Sequence, residues 1–191
     1  MRVGLFFGSF NPVHVGHMVL ANYMLAYTEM QQVWMVVSPQ NPHKTGQQML
    51  SAANRLLLVN LAIDDHPNLR SSNIEFSLPQ PSYTIHTLAH LNEKYPEHEF
   101  SLIIGQDNLQ SFNKWKNHET ILEKFHLYVY PRPGAATSQF DAHPHVHLTS
   151  APVIDISSTF IRQGIREKKD LRFFLPAKVW EEIDVMNFYR T

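Results

Sequence analysis

The sequence predicts an α/β fold, a doubly wound parallel sheet with helices on both faces and a small helical part at the carboxy terminus. Three observations carry that reading. Short, β-rich and nearly unbroken apolar runs recur at 3–7, 33–37, 100–104 and 127–130, as strands covered on both faces require. Helical patterns fill the gaps at 15–27, 52–63, 84–94 and 118–125, and that alternation argues for parallel strands joined by right-handed crossovers. The length of 191 residues, 43% of them hydrophobic, suits one buried core. A single domain over 1–191 is therefore expected, with its helical carboxy-terminal part at about 156–191.

The first strand runs into Gly8-Ser9-Phe10-Asn11-Pro12-Val13-His14-Val15-Gly16-His17, a turn of phosphate size followed at once by a helix. A glycine and small polar residues let backbone N–H groups approach an anion, the helix start adds its positive end, and the imidazoles add donors. Leu69 to Leu78 reads as a further strand ending at Pro79, with polar residues that place it at or beyond a sheet edge. Pro131 to His145, with three prolines, reads as a loop before a short strand at 146–148. Ser157 or Ser158 can cap a helix to about Arg166, and Pro176 suits the first turn of a last helix through Val185.

Composition removes several function classes. Sixteen Lys and Arg against seventeen Asp and Glu give a net charge of -1, with no basic tail or arginine-rich helix to meet nucleic acid. Without cysteine, disulfides, thiolate catalysis and cysteine-based zinc sites are excluded. No apolar stretch reaches membrane-spanning length and the opening residues lack a secretory pattern, so a cytoplasmic protein without membrane or nucleic-acid partners is expected.

The polar punctuation falls at the carboxyl ends of the strands, in 8–17, in 38–44 and in Gly105-Gln106-Asp107. Open α/β sheets bind ligands at that edge, and three converging loops make a crevice. His14 and His17, three apart at a helix start, can address one anion; alternatively one caps the helix and the other packs. No carboxylate or third histidine supports them at metal-ligand spacing, so no protein metal ligand is expected. Lys44 is either a surface lysine or a phosphate contact at the active edge. Ser157, Ser158 and Thr159 start a helix and Arg162 follows Ser158 by four positions, so both can face one phosphate; capping and a surface ion pair are the alternative. Pro81-Ser82-Tyr83-Thr84 opens a helix whose free N–H groups would favour a carboxylate over a carboxamide. Tyr83 and Trp115 offer flat faces to an aromatic ligand or to the core. Asp107 can accept from ribose hydroxyls or cap the next helix. His143, His145 and His147 surround Pro144 and read as a solvated cluster.

Together these residues resemble the nucleotidyltransferase superfamily, marked by a His-x-x-His loop after the first strand, and within it the bacterial nicotinate-nucleotide adenylyltransferases. The likeness spans nearly the whole chain. The motif 8–17, Pro42-His43-Lys44, Pro81-Ser82-Tyr83-Thr84, Ile104-Gly105-Gln106-Asp107, Trp115, Arg132-Pro133-Gly134 and Ile156-Ser157-Ser158-Thr159-Phe160-Ile161-Arg162 follow in that family's order. The opening motif alone points to the superfamily; Pro-Ser-Tyr-Thr and the carboxy-terminal motif narrow it. Asn11 stands where many members have aspartate, Ser9 where threonine is frequent, and Pro131 where some relatives carry a second arginine.

The resemblance implies a Rossmann-like nucleotidyltransferase domain that moves AMP from ATP to nicotinate mononucleotide, giving deamido-NAD and pyrophosphate. It implies that His14, His17, Lys44 and Arg162 bear the phosphates during reaction. Gly8, Ser9, Phe10, Asn11, Gly105, Asp107, Ser157, Ser158 and Thr159 would hold ATP. Tyr83, Thr84, Trp115 and Arg132 would hold nicotinate mononucleotide, with Mg2+ bound through the ATP phosphates. The attacking phosphate oxygen is already anionic at neutral pH, so catalysis reduces to alignment and charge neutralisation. The alternatives are a phosphopantetheine, flavin mononucleotide or nicotinamide mononucleotide adenylyltransferase and a non-catalytic nucleotide sensor; a homo-oligomer stays open. A dinucleotide-binding dehydrogenase is disfavoured because the first turn lacks Gly-x-Gly-x-x-Gly spacing.

Overall fold

Alternation along the strands explains why the sheet is covered on both sides. Val3, Leu5, Trp34, Val36, Leu102 and Ile104 point into one apolar core, while Phe6, Val33, Met35, Val37 and Ile103 point into the other. The structure, a computed structural model, describes residues 1–39 and 49–190. Its strands are β1 (Arg2–Gly8), β2 (Gln32–Val37), β3 (Leu69–Ser72), β4 (Glu99–Gly105), β5 (His126–Tyr130) and β6 (Val146–Leu148). All pair in parallel, in the order β3-β2-β1-β4-β5-β6. The winding reverses between β1 and β4, so the loops that leave those two strands part and open a crevice at their carboxyl ends.

The helices are α1 (Val15–Tyr27), α2 (Ala52–Ile63), α3 (Thr84–Lys94), α4 (Gln106–Gln110), α5 (His118–Lys124), α6 (Ser158–Arg166) and α7 (Ala177–Val185). Leu20 and Met24 of α1, Leu58 and Val59 of α2, Ile161 of α6 and Val179 of α7 share the first core with Phe6. Leu88 and Leu91 of α3, Leu109 of α4 and Ile121 of α5 fill the second with Leu5. The carboxy-terminal helices thus pack on the same face as α1, which brings α6 to the opening turn. Ser157 caps α6, its Oγ accepting from the Phe160 N–H at 3.1 Å, a contact of about 1 kcal/mol.

Four details differ from the sequence reading. The strand expected over 69–78 ends at Ser72, because it lies at the sheet edge and its ladder with β2 closes at the Val36–Ser72 pair. A 3-10 turn follows, Ile74–Ser77, which carries Ile74 and Glu75 into the interior. Gly105 to Asp107 is not a free loop: Gly105 caps α4 and Asp107 lies in its first turn. Pro176 caps α7 from outside instead of entering its first turn. The histidines around Pro144 are engaged, with the His145 ring Nδ1 2.8 Å from the Leu122 carbonyl and His147 Nε2 2.8 Å from His126 Nδ1.

Candidate active site

The opening turn is held by its own backbone. A methyl on Gly8 would lie 2.8 Å from the Phe10 ring, so only glycine lets that ring fold back at the end of β1. Phe10 adopts φ 43° and is buried, edge-on to Phe6 and His17. What it can offer a ligand is backbone. Asn11 is buried too, its Oδ1 accepting from the Tyr189 hydroxyl at 2.8 Å and the Leu50 N–H at 3.3 Å. The Ser9 carbonyl accepts from Arg55 at 2.6 Å.

Ser158 and Arg162 do face one object, and in the described contacts it is this turn. The Ser158 hydroxyl donates to the Pro12 carbonyl and an Arg162 Nη to the Asn11 carbonyl, each at 2.8 Å, while the other Arg162 Nη donates to Thr159 Oγ1 at 3.3 Å. Burial lowers the pKa of the Arg162 guanidinium, and among the described residues no carboxylate pairs with it. The α6 N–H groups of Ser158 and Thr159 precede the helical ladder, so they remain oriented towards the crevice end of the helix.

His14 and His17 stack, with ring centroids 3.7 Å apart. Desolvation by burial, followed by the nearby Arg132 charge, pushes His14 down to about 4, so it is neutral near pH 7. His17 Nδ1 accepts from the His14 backbone N–H at 3.2 Å, which assigns the proton of a neutral His17 ring to Nε2 and makes that atom a donor. His14 is therefore a neutral hydrogen-bonding group at the start of α1, and His17 presents Nε2 beside it.

Across the crevice, a methyl on Gly105 would sit 2.4 Å from Asp107 Oδ1 and 3.3 Å from Arg132, so these side chains close over the end of β4. Arg132 Nε lies 3.8 Å from Asp107 Oδ1, with its guanidinium over the Tyr130 ring. Two side-chain atoms of this rim, His14 Nδ1 and Arg132 Nε, are buried without a hydrogen-bond partner among the described residues. Buried polar atoms in that state are uncommon and call for an explanation.

A second group gathers at the start of α3. Gln80 Nε2 donates to the Glu75 carbonyl and to Ser82 Oγ, both at 2.9 Å, and Thr87 Oγ1 donates to Glu75 Oε1 at 2.8 Å. Burial raises the Glu75 pKa, and hydrogen bonds from Thr87 and Ser38 oppose that rise, so Ser38 after β2 ties this group to the sheet. Tyr83 caps α3 and its carbonyl takes the N–H groups of His86 and Thr87, which leaves those of Thr84 and Ile85 ahead of the ladder. Lys116 Nζ stands 4.6 Å over the Tyr83 ring, and its neighbour Trp115 packs on Phe112. Tyr83, Thr84 and Lys116 are thus brought together, with Trp115 next in the chain to Lys116 and turned to Phe112.

Lys44 lies outside the described residues. Arg55, Tyr189 and Lys116 were missed by the motif reading. Arg55 had a signal: with Leu58, Val59 and Ile63 it falls on the buried stripe of α2, a cation in an apolar register. Tyr189 and Lys116 had none, since their partners are distant in sequence.

Among the described residues no group of three or more His, Asp or Glu side chains is placed to hold a metal, and no helix is long and apolar enough to cross a membrane. The profile of the cytidylyltransferase-like family matches residues 5–164. The chain is 53% identical to a probable nicotinate-nucleotide adenylyltransferase of Flavobacterium psychrophilum and 50% identical to that of Flavobacterium johnsoniae, in both cases over 100% of each chain. Its fold is similar to that of Plasmodium falciparum nicotinic acid mononucleotide adenylyltransferase complexed with NaAD, with a TM-score of 0.82 at 16% identity over 98% of this chain and 97% of that one. A doubly wound sheet with paired histidines at its switch point, a matching profile over most of the length and relatives at half identity end to end lead to one assignment: the chain belongs to the cytidylyltransferase-like family, among the nicotinate-nucleotide adenylyltransferases.

Proposed function

We propose that this protein transfers AMP from ATP to nicotinate mononucleotide, releasing pyrophosphate and forming deamido-NAD (nicotinate adenine dinucleotide) in NAD biosynthesis. The observation that carries the reading is the pair of buried atoms at one rim without a hydrogen-bond partner among the described residues, His14 Nδ1 and Arg132 Nε, beside two helix starts. Phosphate oxygens are the ligands that such donors and N–H groups suit together. The whole of 1–191 serves as one cytoplasmic domain.

A phosphate oxygen of nicotinate mononucleotide attacks the α-phosphorus of ATP, the new P–O bond forms, and the bond to the β-phosphate breaks with both electrons leaving on pyrophosphate. No proton need be removed, so His17 serves as a donor through Nε2 and not as a base. His14 and His17 face the phosphates with the α1 start, while the Ser158–Arg162 turn of α6 adds N–H groups and a cation that no carboxylate among the described residues neutralises. Arg132 holds the phosphate of nicotinate mononucleotide beside His14; Asp107 accepts from ribose hydroxyls. Gly8, Ser9 and Asn11 shape the turn against adenosine, and Lys44 adds charge. Mg2+ would be bound through the ATP phosphates, where it would supply neutralisation of the leaving pyrophosphate beside His14, His17 and Arg162.

The Tyr83–Thr84 group with Trp115 receives the pyridine ring. The N–H groups of Thr84 and Ile85 and the Lys116 ammonium favour a carboxylate, since a charge-assisted contact is worth roughly 1.5 to 3 kcal/mol and a neutral one about 0.5 to 1.5. The test is pyrophosphate release with ATP and Mg2+, comparing nicotinate and nicotinamide mononucleotides side by side. The acid should give the higher kcat/KM. Equal or better turnover of the amide, or turnover of phosphopantetheine with neither pyridine nucleotide active, overturns the reading.

A further inference from the structure

Arg55 is fully buried, yet it has no carboxylate partner among the described residues, and 40–48 contains no acidic residue. Burial lowers its pKa, while interaction with Tyr189 opposes that shift. Filling the core beside Leu58 and Val59 does not call for a guanidinium, and burying a charge without a counter-ion is unfavourable. What the guanidinium does is donate to four backbone carbonyls drawn from three stretches of chain. Its Nη1 reaches Ser9 at 2.6 Å and Ser38 at 2.8 Å, Nη2 reaches Pro39 at 2.9 Å, and Nε reaches Leu50 at 3.1 Å.

These contacts close a ring. Arg55 holds the carbonyl of Leu50, the Leu50 N–H donates to Asn11 Oδ1, and Asn11 belongs to the same turn as Ser9, whose carbonyl returns to Arg55. Tyr189 fastens the ring at Asn11 Oδ1, and Arg162 fastens it at the Asn11 carbonyl. A rigid fork with five N–H groups can set three segments at one spacing; the ammonium of lysine, a point charge with three donors, cannot reproduce that plane.

We propose that Arg55 is a positioning residue for adenylyl transfer, fixing the opening turn, the end of β2 and Leu50 at one spacing so that the phosphate-binding groups converge on a single ligand. This rests on the proposed function and adds a residue to it. Arg55 touches no substrate; its effect passes through the Ser9–Asn11 turn, and its charge, unpaired with any carboxylate among the described residues, adds to the positive potential there.

The test compares wild type, Arg55→Lys and Asn11→Ala, the last opening the same ring without disturbing the guanidinium. Folding at the assay temperature is checked by near-ultraviolet circular dichroism, and kcat and both KM values are measured by pyrophosphate release. Misplacement of aligned groups by about an ångström can cost on the order of 100-fold, so kcat should fall by roughly that factor in folded Arg55→Lys. The KM for nicotinate mononucleotide, whose ring contacts lie at α3, should move by less than about threefold, a split that general loosening would not give. A folded Arg55→Lys with wild-type kcat overturns the inference. If Arg55→Lys does not fold, Asn11→Ala decides: an unchanged kcat overturns the inference and a large loss with little change in that KM upholds it. If wild type itself turns over no pyridine nucleotide, the proposed function falls; Arg55 is then judged by calorimetry with ATP, where equal affinity in wild type and Arg55→Lys overturns its role.

Discussion

The two rims of the sheet differ in a way that volume alone would misread. At the amino ends of the strands a cavity of about 950 Å3 is lined by residues including Arg2, Glu29, His126 and His147. Several of its polar groups answer one another, Arg2 pairing with Glu29 and His126 with His147, while His98 Nδ1 is buried without a hydrogen-bond partner among the described residues. At the carboxyl ends the turns are tightly braced, and a smaller cavity of about 250 Å3 opens beside Arg162 and Tyr189. There, among the described residues, the buried cations Arg55 and Arg162 lack carboxylates and His14 and Arg132 keep buried atoms without hydrogen-bond partners. A site that binds polyanions is marked by buried cations left without a counter-ion until the ligand arrives, and among the described residues no buried Lys or Arg lines the roomier rim.

That contrast can be broken most severely at His14. Replacing it with alanine should lower kcat by roughly 100- to 1000-fold, the usual cost of removing one preorganised donor, with pyrophosphate release as the measurement. The same residue makes a prediction for stability. His14 in the folded protein titrates at about 4, below the ordinary 6.5, so the stability due to its neutral state is complete above pH 6.5 and is lost as pH falls towards 4. Two and a half pKa units correspond to about 3 kcal/mol. Urea denaturation at pH 7 and pH 4.5 should show a smaller loss on acidification in His14→Gln than in wild type; equal losses would remove His14 from the account.

Smaller effects sharpen the same comparison. In Gly105→Ala the added methyl must displace Asp107, and loss of one hydrogen bond between a carboxylate and ribose should raise the KM for ATP about tenfold. Lys116→Met should reduce the preference for nicotinate over nicotinamide mononucleotide by roughly two- to fivefold, the scale of an exposed cation over an aromatic face, measured as a ratio of kcat/KM values. At the other rim, Glu29→Gln should change neither kinetic constant.

Much of this is legible in the sequence. The bounds of α2 and α3 follow from apolar periodicity, because each helix lays one stripe against a sheet whose strands alternate between two cores, and those of α1 follow from an apolar run opened by the Gly8–His14 turn. The convergence of loops at one edge follows from chain order alone. Glu75 was misplaced in a strand because burial at the sheet edge is decided by partners twelve residues away, here Thr87. Ser158 and Arg162 were legible as a pair but not as a brace, since the Asn11 and Pro12 carbonyls they meet lie some 150 residues earlier. Tyr189 was invisible for the same reason, and Arg55 was overlooked although helical spacing put it on a buried face.

The most direct measurement is the rate of pyrophosphate release from ATP and nicotinate mononucleotide in two variants, one from each rim, against wild type. His17→Ala, at the carboxyl rim, should lose roughly 100- to 1000-fold in kcat while staying folded, and His147→Ala, at the amino rim, should match wild type. Comparable rates in His17→Ala and wild type, or a loss confined to His147→Ala, would contradict the placement of the chemistry at the carboxyl ends of β1 and β4.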